Sequence, residues 1–182
     1  MRSAALSGPA RRLGFAVVLA GILFQALWLG LPAIFVSVGL VIAYGLWVGS
    51  RWDFAPRLKV AFVMGVVVFL GHVTEEFLTG FHRLLPALFG RAPWSDHRYL
   101  VFNGVWALVF GVAAFTVARA RPLPVLIILF LAVAGGVGNG VAHLLLVLQR
   151  GAYFPGAWTA PLCFLMGVWL LVLLYAPEGD SR

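Results

Sequence analysis

The sequence predicts an all-α fold, a polytopic membrane helical bundle of about six transmembrane helices, on three observations: its composition, the length of its apolar runs, and the few polar residues set inside them. Of 182 residues, 63% are hydrophobic and 10% are charged, and the mean hydropathy is +1.02. Such values lie well outside the range of soluble domains. At these segment lengths helices are the open architecture that satisfies every backbone group in lipid, so each run is read as a helix. The chain is read as one integral membrane domain, 1–182.

The elements follow in order. Residues 13–49 form an apolar run about twice the length of one span, and Gly30-Leu31-Pro32 is its clearest break, so a tight helical hairpin is expected. Arg2, Arg11 and Arg12 before that run give it the outline of a signal peptide. No small-x-small cleavage site follows and the hydrophobicity continues past Pro32, so an uncleaved first span is the expectation. The remaining spans are 60–78, 99–118, 125–148 and 158–175. Residues 178–182 read as a short solvated tail, and no internal repeat or second domain is visible.

The net charge is +7, but the basic residues are scattered between apolar runs and form no stripe with interleaved aromatics, which argues against nucleic acid as a partner. They read as topology signals. With the N-terminus inside, Arg2, Arg11, Arg12, Arg51, Arg57, Lys59, Arg119, Arg121 and Arg182 fall on the cytoplasmic side. Arg83, Arg91, Arg98 and Arg150 fall outside, so a multi-pass cell-membrane protein with both termini cytoplasmic is expected. Cys163, the single cysteine, excludes an intrachain disulfide and reads as a small packed residue.

Within the span 60–78 stand His72, Glu75 and Glu76. An ionisable group at membrane depth costs at least ~2.5 kcal/mol, so the cluster is a candidate site whose partners have to be found. At a rise of 1.5 Å per residue, His72 lies ~18 Å and Glu76 ~24 Å along this span. The parallel span 125–148 carries Asn139 at ~21 Å and His143 at ~27 Å. Asn103 is ~6 Å into the antiparallel span 99–118, which is the same height in a core ~30 Å thick. Gln25 falls at a similar level. The deep polar residues therefore gather toward one leaflet, the outer one by the basic-residue count.

His72, His143 and one of Glu75 or Glu76 are ligands of the kind that hold one divalent metal, zinc or iron. The second carboxylate is then available to move protons. Glu75 and Glu76 lie at about −60° and +40° around the helix from His72. Glu76, nearer the outer surface, is therefore the expected metal or acid–base partner, with Glu75, turned toward a neighbouring span or the loop above, acting as a base or orienting the metal's ligands. A di-iron bundle would need two Glu-x-x-His helices and two further glutamates, which the chain lacks. Asn139 and His143, at i and i+4, share a face. Gly136 and Gly140 permit close helix approach, and the glycines around Asn139 are also of the kind found in broken transporter helices. Asn103, Asn139, Tyr153 and Thr159 are the expected substrate-binding or supporting residues, the last two from an outer loop marked by Pro155-Gly156. A buried hydrogen-bonded network without chemistry is the bland alternative.

In the outer loop 80–98, residues 84–89 read as a segment lying on the membrane surface over the site. Asp96 reads as an N-cap or helix-dipole partner for the span that follows. His82 and His97 read as exposed and interfacial. The tryptophans Trp28, Trp94, Trp106 and Trp169 read as core or belt residues without chemistry.

His72-x-x-Glu75-Glu76, then Asn139-x-x-x-His143, then Tyr153-x-Pro155-Gly156-x-x-Thr159 resembles the HXXEE-motif family of bacterial and archaeal integral membrane proteins. The resemblance covers residues 60–175 and leaves the hairpin 13–49 outside; it implies a site and no particular reaction. A weaker likeness, in His72-x-x-x-Glu76 and Asn103-x-x-Trp106, is to the emopamil-binding sterol isomerases, whose intramembrane site works by acid–base chemistry.

These readings lead to a membrane-embedded enzyme acting on a membrane lipid or an isoprenoid-like hydrophobic small molecule, with His72, Glu75 and Glu76 as its catalytic centre. A metal-assisted hydrolase or transferase and a metal-free acid–base isomerase both stay open. The alternatives are an ion- or proton-coupled transporter, against which stand the off-centre polar cluster and the absence of an inverted repeat, and a non-catalytic accessory protein.

Overall fold

The computed structural model describes residues 6–49, 56–117 and 122–175. Arg2, Arg51, Arg119, Arg121 and Arg182, on which the topological reading partly rests, and the tail 178–182 lie outside the described residues. Among the described residues every regular element is helical.

Helix α1, Gly8–Leu29, begins with Pro9 in its first turn and with Ser7 as N-cap, whose side chain accepts from the Ala10 amide at 3.4 Å. Proline is tolerated there because that N–H has no helical partner in any case. The helix stops at Gly30, whose φ of +70° lies in the left-handed region and whose N–H donates to Ala26 O. Only glycine takes that conformation without a Cβ penalty. Helix α2, Ala33–Gly49, then runs back against α1. The expected hairpin and its break at Gly30-Leu31-Pro32 are present, and Ser37 Oγ donates to Gln25 Oε1 across it at 2.8 Å. Gln25 is thus a tie within the hairpin and does not join the polar cluster below.

Helix α3, Pro56–Thr79, is followed by the short α4, Phe81–Leu88, and by α5, Asp96–Thr116. Ser95 is the N-cap of α5, accepting from the Arg98 amide, and Asp96 occupies the first turn, where the helix dipole favours a carboxylate. The helical rod Pro122–Arg150 is continuous. It comprises α6, Pro122–Phe130, a π-helical stretch, Leu131–Gly138, and α7, Asn139–Arg150. Glycine permits this stretch: a Cβ on Gly138 would come within 2.8 Å of the Val133 carbonyl oxygen five residues back. A π segment alters the ladder from i→i+4 to i→i+5, so it resets the rotation of α7 relative to α6. Helix α8, Ala160–Tyr175, closes the order.

The π stretch packs on α8, and α3 packs on both α8 and α5. A Cβ on Gly136 would sit 2.6 Å from Gly167 Cα, and one on Gly140 would sit 2.6 Å from Phe164 Cβ. The close approach expected of Gly136 and Gly140 is therefore realised against α8. Among the described residues four helical segments, Gly8–Leu29, Arg57–Thr79, Asp96–Thr116 and Pro122–Arg150, are long and apolar enough to cross a membrane. Two shorter apolar helices, α2 and α8, have 17 and 16 residues. Leu27, Leu108 and Phe115 are turned outward at 82%, 68% and 83% exposure, as a surface in contact with lipid tolerates and a water-facing one rarely does.

Candidate functional site

His72 and Glu76 are one helical turn apart on α3, and both face the bundle interior. Their side chains approach at 3.4 Å, Nε2 to Oε1. His143, from α7, brings its Nε2 to 3.1 Å from the same carboxylate oxygen. The two imidazole rings stand edge to face, with centroids 4.9 Å apart. All three residues are buried, with exposures of 1%, 6% and 2%. One ligand atom from each lies within 4.8 Å of the other two. For a tetrahedral zinc with ligand bonds near 2.05 Å, two ligand atoms stand about 3.3 Å apart. Both contacts to Glu76 Oε1 are close to that length, so the donor set fits a divalent ion.

Supporting contacts surround this group. Asn139 Nδ2 is 2.6 Å from His72 Nε2, and Thr159 Oγ1 is 2.8 Å from His72 Nδ1. Tyr99 donates its hydroxyl to Glu76 Oε2 at 2.5 Å. Asn103, one turn along α5, donates to the Tyr99 carbonyl at 3.0 Å. The His143 Nδ1 is buried without a hydrogen-bond partner among the described residues.

Glu75, the neighbour of Glu76, faces the loop 151–159. Its Oε1 accepts from the Tyr153 hydroxyl at 2.6 Å and the Trp158 N–H at 3.1 Å. Its Oε2 accepts from the Thr159 N–H at 2.8 Å and the Thr159 hydroxyl at 2.5 Å. Glu75 therefore does not join the His72–Glu76–His143 group. Burial, followed by the bond to Glu75, pushes the Tyr153 phenol above its ordinary pKa, so it stays a donor at neutral pH. The loop so fastened carries Gly156 over the cluster at φ +91°. A Cβ there would fall 2.5 Å from His143 Cε1, 2.8 Å from His72 Cε1 and 2.9 Å from Glu76 Cγ.

The group lies on the wall of a cavity of about 500 Å³. The cavity is lined beside Asn103 and Asn139 by Phe69, Phe102, Trp106 and Phe130. It is also lined by Phe35, Leu88 and Leu145, each more than half exposed, so it reaches the bundle surface between α2, α4 and α7. The segment expected to lie over the site contributes its helical part: Leu85 and Leu88 of α4 belong to the lining, as does Phe89 just beyond it.

Of the expected site residues, the fold brings together His72, Glu76, His143, Asn139 and Thr159, with Asn103 reached through Tyr99. Glu75 and Tyr153 pair with each other at the loop. In the sequence Tyr99 reads only as the aromatic start of a span. Its i to i+4 relation to Asn103 was the available signal. In the sequence Gly156 reads as a turn alone. His97 is exposed as expected, but the expectation that His82 is exposed is corrected. His82 is 2% exposed, stacked on Phe77 and 2.9 Å from Asp96 Oδ1. The loop folds back over it, held by the Trp94 N–H donating to His82 O at 2.9 Å.

Comparison with curated proteins and with solved structures finds no match. The family described as "Protein of unknown function with HXXEE motif" matches residues 63–170, more than half of the chain and including every residue of the cluster. On that match, the chain belongs to the HXXEE-motif family of unknown function.

Proposed function

We propose that this protein is a membrane-embedded enzyme, a metal-assisted hydrolase or transferase acting on a lipid or isoprenoid-like substrate. The observation that carries the reading is the convergence of His72 Nε2 and His143 Nε2 on one oxygen of buried Glu76, at 3.4 and 3.1 Å, on the wall of a largely apolar cavity. A buried carboxylate between two imidazoles invites a cation, which offsets its charge. A bound zinc or ferrous ion would supply Lewis acidity toward an ester or phosphoryl oxygen of the substrate. Around it, Tyr99 holds the second Glu76 oxygen, and Asn139 and Asn103 orient substrate or ligands. The aromatic walls accept hydrocarbon, and exposed Phe35, Leu88 and Leu145 offer entry from the bilayer. In this reading six helices cross the membrane, both termini are cytoplasmic and the site lies toward the outer leaflet.

Metal analysis by mass spectrometry of protein purified without chelator tests it. About one equivalent of zinc or iron is expected in the wild type, and none in a His72→Ala, His143→Ala double variant. Metal that survives in the double variant excludes this site. A metal-free acid–base isomerase is the second reading, favoured by the 3.4 Å approach of His72 Nε2 to Glu76 Oε1, which would let the two groups relay a substrate proton. Wild type without metal turns the assignment to that chemistry.

A further inference from the structure

Glu75 is spent on the loop in a way that reaches His72. An ionised carboxylate accepts at about four lone-pair sites and has no hydrogen to give. All four are taken: Tyr153 Oη–H, Trp158 N–H, Thr159 N–H and Thr159 Oγ1–H. The Thr159 hydroxyl has a single hydrogen, directed at Glu75 Oε2 over 2.5 Å. Only lone pairs remain on Oγ1 to face His72 Nδ1, 2.8 Å away. His72 Nδ1 therefore carries a hydrogen and donates it to Thr159. The opposite side of the ring matches: the Asn139 amide is turned so that Nδ2, which has only hydrogens to offer, lies 2.6 Å from Nε2. A hydrogen on Nε2 would set two donors against each other. His72 is 1% exposed, so water is poorly placed to substitute for either partner.

We propose that Glu75 is a positioning residue: through the Thr159 hydroxyl it holds His72 in the Nδ1–H tautomer and leaves Nε2 without a hydrogen, the acceptor of Asn139 Nδ2 beside Glu76. The partner on the far nitrogen of a histidine selects which nitrogen is left to bind or to take a proton. The consequence for metal affinity rests on the metal-site reading above; the tautomer does not. The chain Glu75–Thr159–His72 also explains why two adjacent glutamates are present. Glu76 supplies an oxygen to the cluster, and Glu75 fixes the ring that stands beside it.

The test is nitrogen-15 NMR of histidine-labelled, metal-free protein in bilayers. Four histidines make assignment by single replacement practicable, and protonated and bare ring nitrogens are resolved by shift. In the wild type and in Thr159→Ser, which keeps the hydroxyl, His72 is expected as the Nδ1–H form. In Thr159→Val and Glu75→Gln the Nε2–H form is expected to become the major species, with the Asn139 amide turned to present its oxygen to Nε2. Tyr153→Phe takes one donor from Glu75 and loosens the loop without touching the Thr159–His72 bond; its tautomer is expected unchanged, which separates loop anchoring from ring control. Zinc titration of the same proteins is expected to show ~10- to 100-fold weaker binding in Thr159→Val and Glu75→Gln. An Nε2–H wild type, or Nδ1–H retained in both variants, overturns the proposal. Should those two variants fail to fold, the wild type and Thr159→Ser decide it. Tautomers that shift as expected in the variants, together with a wild type that binds no zinc, support the positioning role and remove the zinc reading alone.

Discussion

Glu76 Oε1 stands 3.1 Å from His143 Nε2, joining α3 to α7 across 67 residues of sequence. The carboxylate is buried and its other oxygen accepts from Tyr99. Glu76→Gln keeps the side-chain volume and removes the charge, so it isolates the carboxylate's part in holding a cation. Zinc affinity is expected to fall at least ~10-fold, the scale of a lost charge-assisted contact. Isothermal titration of wild type and variant in the same detergent checks it; equal affinities would show that Glu76 is no ligand.

Gly156→Ala is expected to damage the site twice over. The position has φ +91°, and its new Cβ would meet both imidazoles and the Glu76 stem at 2.5 to 2.9 Å. Gly151→Ala is the comparison, because Gly151 has φ +66° with open space around it. Backbone strain alone costs roughly 1–2 kcal/mol, so Gly151→Ala should lose about that much. Gly156→Ala should lose more, with metal binding impaired as well. Thermal unfolding and metal content of the two variants, measured side by side, check both; equal losses would mean that the cluster tolerates the intrusion.

Tyr99→Phe deletes the hydroxyl that donates to Glu76 Oε2 at 2.5 Å and leaves a buried carboxylate oxygen short of a partner. A loss of about 1–3 kcal/mol follows from that orphaned acceptor. The loss should be larger in metal-free than in metal-loaded protein, since a bound cation also compensates the charge. Unfolding in denaturant with and without added zinc reads the difference, and a variant as stable as wild type in both states would remove Tyr99 from the site.

The proposed topology puts Arg12 and Arg91 on opposite sides of the membrane. In a Cys163→Ala background, Arg12→Cys and Arg91→Cys should react differently with an impermeant thiol reagent applied to intact cells. Position 91 is expected to label and position 12 to be protected until the cells are opened. Equal labelling of both would reject the orientation or the span count.

Helix rise is the reason so much of the site was legible in the amino-acid order. At a fixed 1.5 Å per residue, the positions of His72, Glu76, Asn103, Asn139 and His143 set their heights within apolar spans. The angular step of 100° separated Glu76 from Glu75 and assigned one to the cluster and the other to a neighbouring span or the loop above. The hairpin break was legible for the same kind of reason, because Gly30 and Pro32 carry their conformational constraints with them. Rotation about each axis was not legible: helices that are apolar all round have no polar stripe to orient them. Tyr99 consequently read as a boundary aromatic until α5 turned it onto Glu76. Loop paths were also beyond local reading. Only the folded chain brings the Trp94 N–H back to His82 O, and Gly156 with Thr159 over His72, because those contacts depend on where distant helix ends come to rest. The membrane-class composition, the spans and the polar heights belong to the sequence. The pairing of Glu75 with Thr159, the burial of His82 and the closing of Gly156 over the imidazoles belong to tertiary packing.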